Sequence, residues 1–157
     1  MEKPARILII DDDENIRTVL QAILEDEGYV IETADTARKG IEKSETEFYN
    51  LALIDVRLPD MEGTELLTKL RETKPKMRKI IVTGFPTMQN AVLALNKGAD
   101  GFVLKPFDVE KILVTIKEQL IKQLEEKEFN EEKIAEFIET RVKELDSEAD
   151  LVRSKTN

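Results

Sequence analysis

The chain has 157 residues, the length of one ordinary domain, and is 41% hydrophobic and 36% charged, a globular rather than a disordered composition. A net charge of -9 argues against a general nucleic-acid-binding surface, and the absence of both Cys and His excludes disulfides, thiol catalysis, zinc-thiolate sites, His bases and Ser-His triads. Carboxylates and Lys are left as the ionisable chemistry. The first apolar run meets Asp11 too soon for a signal-peptide core and no stretch approaches membrane-span length, so a cytoplasmic protein with no membrane partner is expected.

Arg6 to Ile10 is a continuous apolar run that reads as a buried strand and stops at Asp11-Asp12-Asp13. Asn15 to Glu27 carries Ile16, Val19, Leu20, Ile23 and Leu24 at helical spacing, with Gly28 as the stop signal. Tyr29 to Ala34 alternates as an edge strand would, and Thr36 to Glu45 is a weaker helix. Leu51 to Ile54 then delivers Asp55 to the mouth of a third strand, followed by the loop RLPDMEG. A helix is predicted over Thr64 to Glu72, ended by Lys74-Pro75 because the residue before proline resists helical geometry. Lys79 to Val82 is a fourth strand ending at Thr83-Gly84, and Thr87 to Asn96 a helix broken by Gly98. Gly101 to Leu104 is a fifth strand ending at Lys105-Pro106, and Asp108 caps a last long helix.

Strands and helices alternate, and the strands are apolar on both faces, which predicts an α/β fold: a doubly wound, five-stranded parallel sheet covered by helices on each side. In open sheets of this kind ligands bind beyond the carboxyl ends of the strands, where the winding reverses. Asp11 and Asp12 end strand one, Asp55 strand three, Thr83 strand four and Lys105 strand five. With strand order 2-1-3-4-5, strands one and three are neighbours and the three carboxylates converge. Such carboxylates repel by about 3 kcal/mol per pair at an effective dielectric of 20, so they must be protonated, paired or holding a cation. An all-oxygen cluster suits Mg²⁺. With the Lys105 ammonium and the Thr83 hydroxyl it forms a cradle for a phosphoryl group, and Asp55 becomes the natural nucleophile, needing no general base.

The segments IIDDDEN, LIDVRLPDMEG, IVTGFPT and GADGFVLKPF together resemble the receiver domain of two-component response regulators, in the family's order and approximate spacing, over roughly residues 4 to 122. The resemblance implies the flavodoxin-like receiver fold, with Asp55 as phosphoacceptor, Asp12 as a direct Mg²⁺ ligand and Asp11 as a ligand through water. It implies that the main-chain carbonyl of Arg57 completes the metal shell and that Thr83 and Lys105 bind the phosphoryl oxygens. Phe102 matches the aromatic switch position, Pro106 a cis proline, and Asp13 is expected to cap the first helix. Bulky Phe85, two residues after Thr83, is expected to shield the acyl phosphate.

The implied partners are a sensor histidine kinase, which must carry the donor His on another chain, and a downstream output protein or domain. The chain is then no enzyme toward a separate substrate and catalyses only its own phosphorylation and dephosphorylation. A homodimer through the fourth helix, fifth strand, fifth helix and C-terminal tail is a further implication, with VTGFPT and LKPFD resembling receivers of the nitrogen-regulator type. Thr115 stands where winged-helix regulators carry an interface Arg. No direct nucleic-acid binding is evident.

Residues 1-122 are thus expected to form the receiver and 123-157 a helical extension for dimerisation or linking. Leu113, Ile116, Leu120 and Leu124 continue the last helix's apolar stripe, and Phe129-Asn130-Glu131-Glu132 reads as a helix restart with Asn130 as N-cap and Phe129 stapled to Ile134. Ile134, Phe137, Ile138, Val142 and Leu145 give the second helix an apolar face, and the end from about Asp146 is expected to fray. Two competing functions share these residues: a phosphorylation-independent scaffold of the same fold, and an Mg²⁺-dependent phosphohydrolase acting through Asp11 and Asp13, which leaves Asp55 unexplained.

Overall fold

The computed structural model describes residues 3–84 and 87–155. Its strands are β1 (Arg6–Ile10), β2 (Val30–Ala34), β3 (Leu51–Asp55), β4 (Arg78–Thr83) and β5 (Gly101–Leu104). Between and after them run α1 (Glu14–Asp26), α2 (Ala37–Thr46), α3 (Gly63–Leu66), α4 (Met88–Asn96) and α5 (Val109–Lys155). The strands form one parallel sheet in the order β2-β1-β3-β4-β5, as the doubly wound reading requires. Residues 1–123 make one compact unit and 124–157 a second.

The sheet divides two cores by the period-2 alternation of its strands. Leu8, Ile10, Ile54 and Ile81 face a cluster completed by Ala37 of α2, Leu66 of α3 and Ala94 of α4. Ile7, Ile9, Leu53 and Val82 face the other, with Leu20 and Leu24 of α1 and Ile112 and Ile116 of α5. Every residue of β3 is buried, which is why that strand reads as an unbroken apolar run. Asp13 caps α1 by accepting from the backbone N–H groups of Asn15 and Ile16, and Gly28 follows the helix at φ +94°, a conformation only glycine adopts without strain.

Three expectations change. The helix predicted over Thr64 to Glu72 is only the four residues of α3, continued by turns to Leu70. Thr68 and Lys69 donate their N–H groups to the carbonyls three residues back, Glu65 and Leu66, and the Thr68 hydroxyl takes the Glu65 carbonyl as well, which competes with helix continuation. The tighter turn lets the adjacent Leu66 and Leu67 both be buried along with Leu70.

The helix restart at Phe129 to Glu132 does not occur: α5 is continuous through those residues and on to Lys155, so the end from Asp146 is helical rather than frayed. Asn130 and the acids after it are compatible with a helix interior, and without a Gly or Pro between 109 and 155 nothing forces a break.

The stripe on α5 also turns. Leu124 is exposed, whereas Gln119 and Gln123, one helical turn apart, are buried. Both are fully engaged. The Gln119 side-chain oxygen accepts from Arg78 Nε (3.0 Å) and Nη2 (2.8 Å), and its amide donates to the Asp100 carbonyl (3.0 Å). The Gln123 amide donates to the carbonyls of Asn50 (2.9 Å) and Lys76 (2.8 Å) and its oxygen accepts from Asn50 Nδ2 (3.1 Å). These two polar side chains thus bond backbone carbonyls at the amino ends of β3, β4 and β5, where the Asn50 carbonyl also accepts from the Arg78 N–H at 3.0 Å.

Candidate acidic site at the carboxyl edge of the sheet

The carboxyl ends of the strands bring the sequence-distant acids together. Asp11 follows β1, its N–H donating to the Ala34 carbonyl at 3.1 Å, and Asp55 closes β3 beside Val82. Asp11, Asp12 and Asp55 each offer a carboxylate oxygen, and these oxygens all lie within 4.8 Å of one another. Asp11 and Asp55 are buried while Asp12 is exposed, so the cluster opens to solvent on the Asp12 side. An oxygen-only set with one solvent-facing member matches the preference of a hard divalent cation that keeps several waters, and these three carboxylates could hold one.

Lys105 reaches into the cluster from the end of β5. Its Nζ lies 2.8 Å from Asp11 Oδ2 and 3.5 Å from Asp55 Oδ2. Its backbone is tied to β4 by donation to the Thr83 carbonyl at 2.7 Å, so the ammonium is placed by the sheet and not by a free loop. The Lys105-Pro106 bond that follows is cis, as expected; Lys74-Pro75 is cis as well.

Burial, first, and then the Asp11 carboxylate push the Asp55 carboxyl above its ordinary range; the Lys105 ammonium and the Arg57 N–H pull it down, and Asp12 adds a smaller push upward. Loss of solvation thus leads the upward shift, with the repulsion from Asp11 behind it. Arg57 donates its N–H to Asp55 Oδ1 at 3.4 Å, a long bond, and bridges to Glu62 across the turn.

Thr83 ends β4 fully buried. Thr83 is two residues beyond Ile81, and Ile81 pairs with Phe102 on β5, so the alternation of strand faces puts Thr83 and Phe102 on the same side of the sheet. Phe102 is half-buried against the cluster that contains Ile81. Phe85 lies outside the described residues.

Three supporting residues escaped the sequence reading. Arg17 of α1 donates to the Asp11 carbonyl at 2.8 Å, fixing the backbone between the two leading acids. Asp60 accepts from the N–H groups of Ala37 and Arg38, both at 2.9 Å, which holds its carboxyl below the usual range and ties the loop after Asp55 to the start of α2. Gly63 donates to the Val56 carbonyl at 2.7 Å, and a Cβ built there would stand 2.1 Å from the Asp55 carbonyl oxygen. Only a glycine lets the chain return so close beneath Asp55. The glycine in DMEG was a readable signal; the Asp60 pairing, across 23 residues, was not.

A parallel 2-1-3-4-5 sheet carrying three acids and a lysine at its carboxyl edge defines a CheY-like receiver module. The chain belongs to the response regulator receiver domain family, whose model matches residues 7–117. It is 50% identical to the crystal structure of a response regulator receiver domain protein (CheY-like) from Methanospirillum hungatei JF-1, with a TM-score of 0.76, covering 79% of this chain and 99% of that one. It resembles the beryllofluoride-activated NtrC4 receiver domain dimer at 39% identity and a TM-score of 0.71, over 75% of this chain and 98% of that one.

Among curated proteins it is 38% identical over 120 residues to the uncharacterized transcriptional regulatory protein YkoG of Bacillus subtilis (strain 168), covering 76% of this chain and 52% of YkoG. The chain thus spans about half the length of that relative. No helix among the described residues is long and apolar enough to cross a membrane.

Proposed function

We propose that this receiver takes a phosphoryl group from a phosphohistidine of a separate sensor kinase onto Asp55. A carboxylate oxygen of Asp55 forms the new O–P bond as the N–P bond breaks, and the histidine ring nitrogen of the donor keeps the electron pair. The observation that carries the reading is the position of Lys105 Nζ, 2.8 Å from Asp11 and 3.5 Å from Asp55. An ammonium there is placed to meet phosphoryl oxygens as negative charge arrives on Asp55. Asp11, Asp12, Asp55 and the Arg57 carbonyl are the groups that would hold Mg²⁺, which when bound neutralises charge between the acids and the phosphoryl oxygens.

Thr83 offers its hydroxyl to a phosphoryl oxygen from the end of β4. Moving that hydroxyl vacates space on the face it shares with Phe102, and the half-buried ring turns inward to fill it. Phosphorylation thereby shifts a balance between two packings and alters the α4–β5–α5 surface. That surface already exposes Val92, Leu95, Leu104 and Val114, apolar groups suited to an output protein, an output domain or a second copy of the chain. We assign residues 1-122 to the switch and 123-157 to a dimerisation or linker helix, in a cytoplasmic protein.

The test is to incubate the protein with Mg²⁺ and a small phosphodonor and to measure intact mass, with Asp55→Asn as control. A phosphate adduct on the parent and none on the variant is expected. No adduct on either protein favours the scaffold reading, and multiple turnover that persists in the variant favours the phosphohydrolase.

A further inference from the structure

Both halves of the acid site lean on one short stretch of chain, the junction between β2 and α2. On the first half, the Asp11 N–H donates to the Ala34 carbonyl at 3.1 Å and Arg17 donates to the Asp11 carbonyl at 2.8 Å. On the second half, the loop after Asp55 is gripped at its tip. Asp60 Oδ1 accepts from the Ala37 N–H and Oδ2 from the Arg38 N–H, both at 2.9 Å.

These bonds meet a need of the helix as well as of the loop. The first N–H groups of a helix have no partner inside it, and α2 carries no acidic residue in its own first turn. The Thr36 hydroxyl takes the Lys39 N–H at 3.1 Å, and the two N–H groups ahead of that one go to Asp60. A carboxylate at this end also meets the positive pole of the helix. The base of the loop is closed separately: Arg57 and Glu62 form an antiparallel bridge, and Gly63 donates to the Val56 carbonyl at 2.7 Å. A loop held only at its base can swing as a unit, and a carboxylate with both oxygens engaged at the tip removes that freedom.

We infer that Asp60 is a positioning residue for the cation site: it fixes the loop that carries Arg57 relative to Asp11 and Asp12, and it makes the first turn of α2 respond to what the acids hold. Asp60 acts through the loop, not as a ligand. The inference rests on the reading in which Asp11, Asp12, Asp55 and the Arg57 carbonyl hold Mg²⁺. Coupling of this kind is reciprocal, so whatever factor the docking of Asp60 adds to cation affinity, the cation adds to that docking. Order at the start of α2 then tracks occupancy of the acids beside β2, the edge of the sheet opposite β5.

Residues that support a metal's ligands from outside change its affinity about 10–100-fold when removed, and one acting through a loop belongs at the low end. Mg²⁺ is titrated into the full chain and into Asp60→Ala while backbone amide signals are followed by NMR, with amide exchange measured before addition and at saturation. Asp60→Ala is expected to raise the Mg²⁺ dissociation constant about tenfold. In the parent, saturating Mg²⁺ is expected to slow exchange of the Ala37 and Arg38 N–H groups by about the same factor, and in the variant to leave it unchanged.

Two comparison variants separate placement from other effects. Gln119→Leu removes stabilising bonds at the amino edge of the sheet, and Glu65→Gln removes one negative charge from α3 without touching the bonds between the loop and α2. Both are expected to keep the parent's Mg²⁺ constant and its exchange response. Equal Mg²⁺ affinity in Asp60→Ala and the parent overturns the inference, as does a comparison variant that weakens Mg²⁺ as much as Asp60→Ala. Exchange at Ala37 and Arg38 that ignores the cation overturns it too, and that measurement on the parent decides even where Asp60→Ala does not fold. A parent with no Mg²⁺ response at all sinks the cation site and this coupling with it, whereas Mg²⁺ binding that Asp60→Ala leaves unchanged sinks the coupling alone.

Discussion

Replacing Gln119 by Leu removes three hydrogen bonds from the amino edge of the sheet while keeping a side chain of similar bulk. Two of those bonds join the Gln119 oxygen to the Arg78 guanidinium at 3.0 and 2.8 Å, and the third runs from its amide to the Asp100 carbonyl at 3.0 Å. Bonds to a charged partner contribute about 1.5–3 kcal/mol and neutral ones about 0.5–1.5 kcal/mol. Arg78 retains Asp100 at 3.4 Å, which limits the loss on the charged side, and the buried leucine returns some hydrophobic stabilisation.

The net expectation is a destabilisation of about 3 kcal/mol. At about 2–4 °C per kcal/mol for a chain of this size, the melting temperature falls by about 6–12 °C. Urea denaturation read by circular dichroism measures it, with the m-value unchanged because the same surface is exposed on unfolding. Gln119→Glu keeps the acceptor facing Arg78 but sets a carboxylate oxygen against the Asp100 carbonyl, so a loss of stability is expected there too. The residue sits at the opposite end of the sheet from Asp55, so the folded variant is expected to match the parent in the proposed phosphate-adduct assay. A Gln119→Leu protein within about 0.5 kcal/mol of the parent refutes the account of α5 as held to the sheet by polar bonds.

Gly63→Ala forces a methyl against the Asp55 backbone, so about 2–3 kcal/mol of destabilisation and slower adduct formation are expected from paired denaturation and mass measurements. Lys105→Met removes an ammonium contacting both Asp11 and Asp55, and intact mass should show adduct formation slowed about 100-fold. Asp55 has a folded-state carboxyl raised above its unfolded value of 3.8, so its ionised form opposes folding. That penalty is absent below the unfolded value and complete above the raised one. Asp55→Asn is therefore expected to be more stable than the parent at neutral pH without divalent cations, with the gap closing on acidification, which thermal melts across pH would show. If the folded acid cluster holds the proposed cation, adding Mg²⁺ should raise the melting temperature of the parent more than that of Asp55→Asn.

The sheet and the edge where chemistry gathers are written in residue order alone. Runs such as Leu51 to Ile54 are apolar on both faces because parallel strands are covered twice, and a polar residue at the end of such a run can only be where the cover stops. Asp11, Asp55, Thr83 and Lys105 were legible for that reason, and Asp13 was legible as a cap because its bonds reach only three residues ahead. Tertiary structure alone decided what depends on partners distant in the chain. Gln119 and Gln123 have no legible role in the sequence until the carbonyls of Asn50, Lys76 and Asp100 are seen beside them, nor has Asp60 until it meets α2. The Phe129 to Glu132 segment carries the local marks of a helix start, yet α5 runs through it. Local signals state what a backbone can do; at Gln119, Gln123 and Asp60 the outcome is set by donors and acceptors far away in the chain.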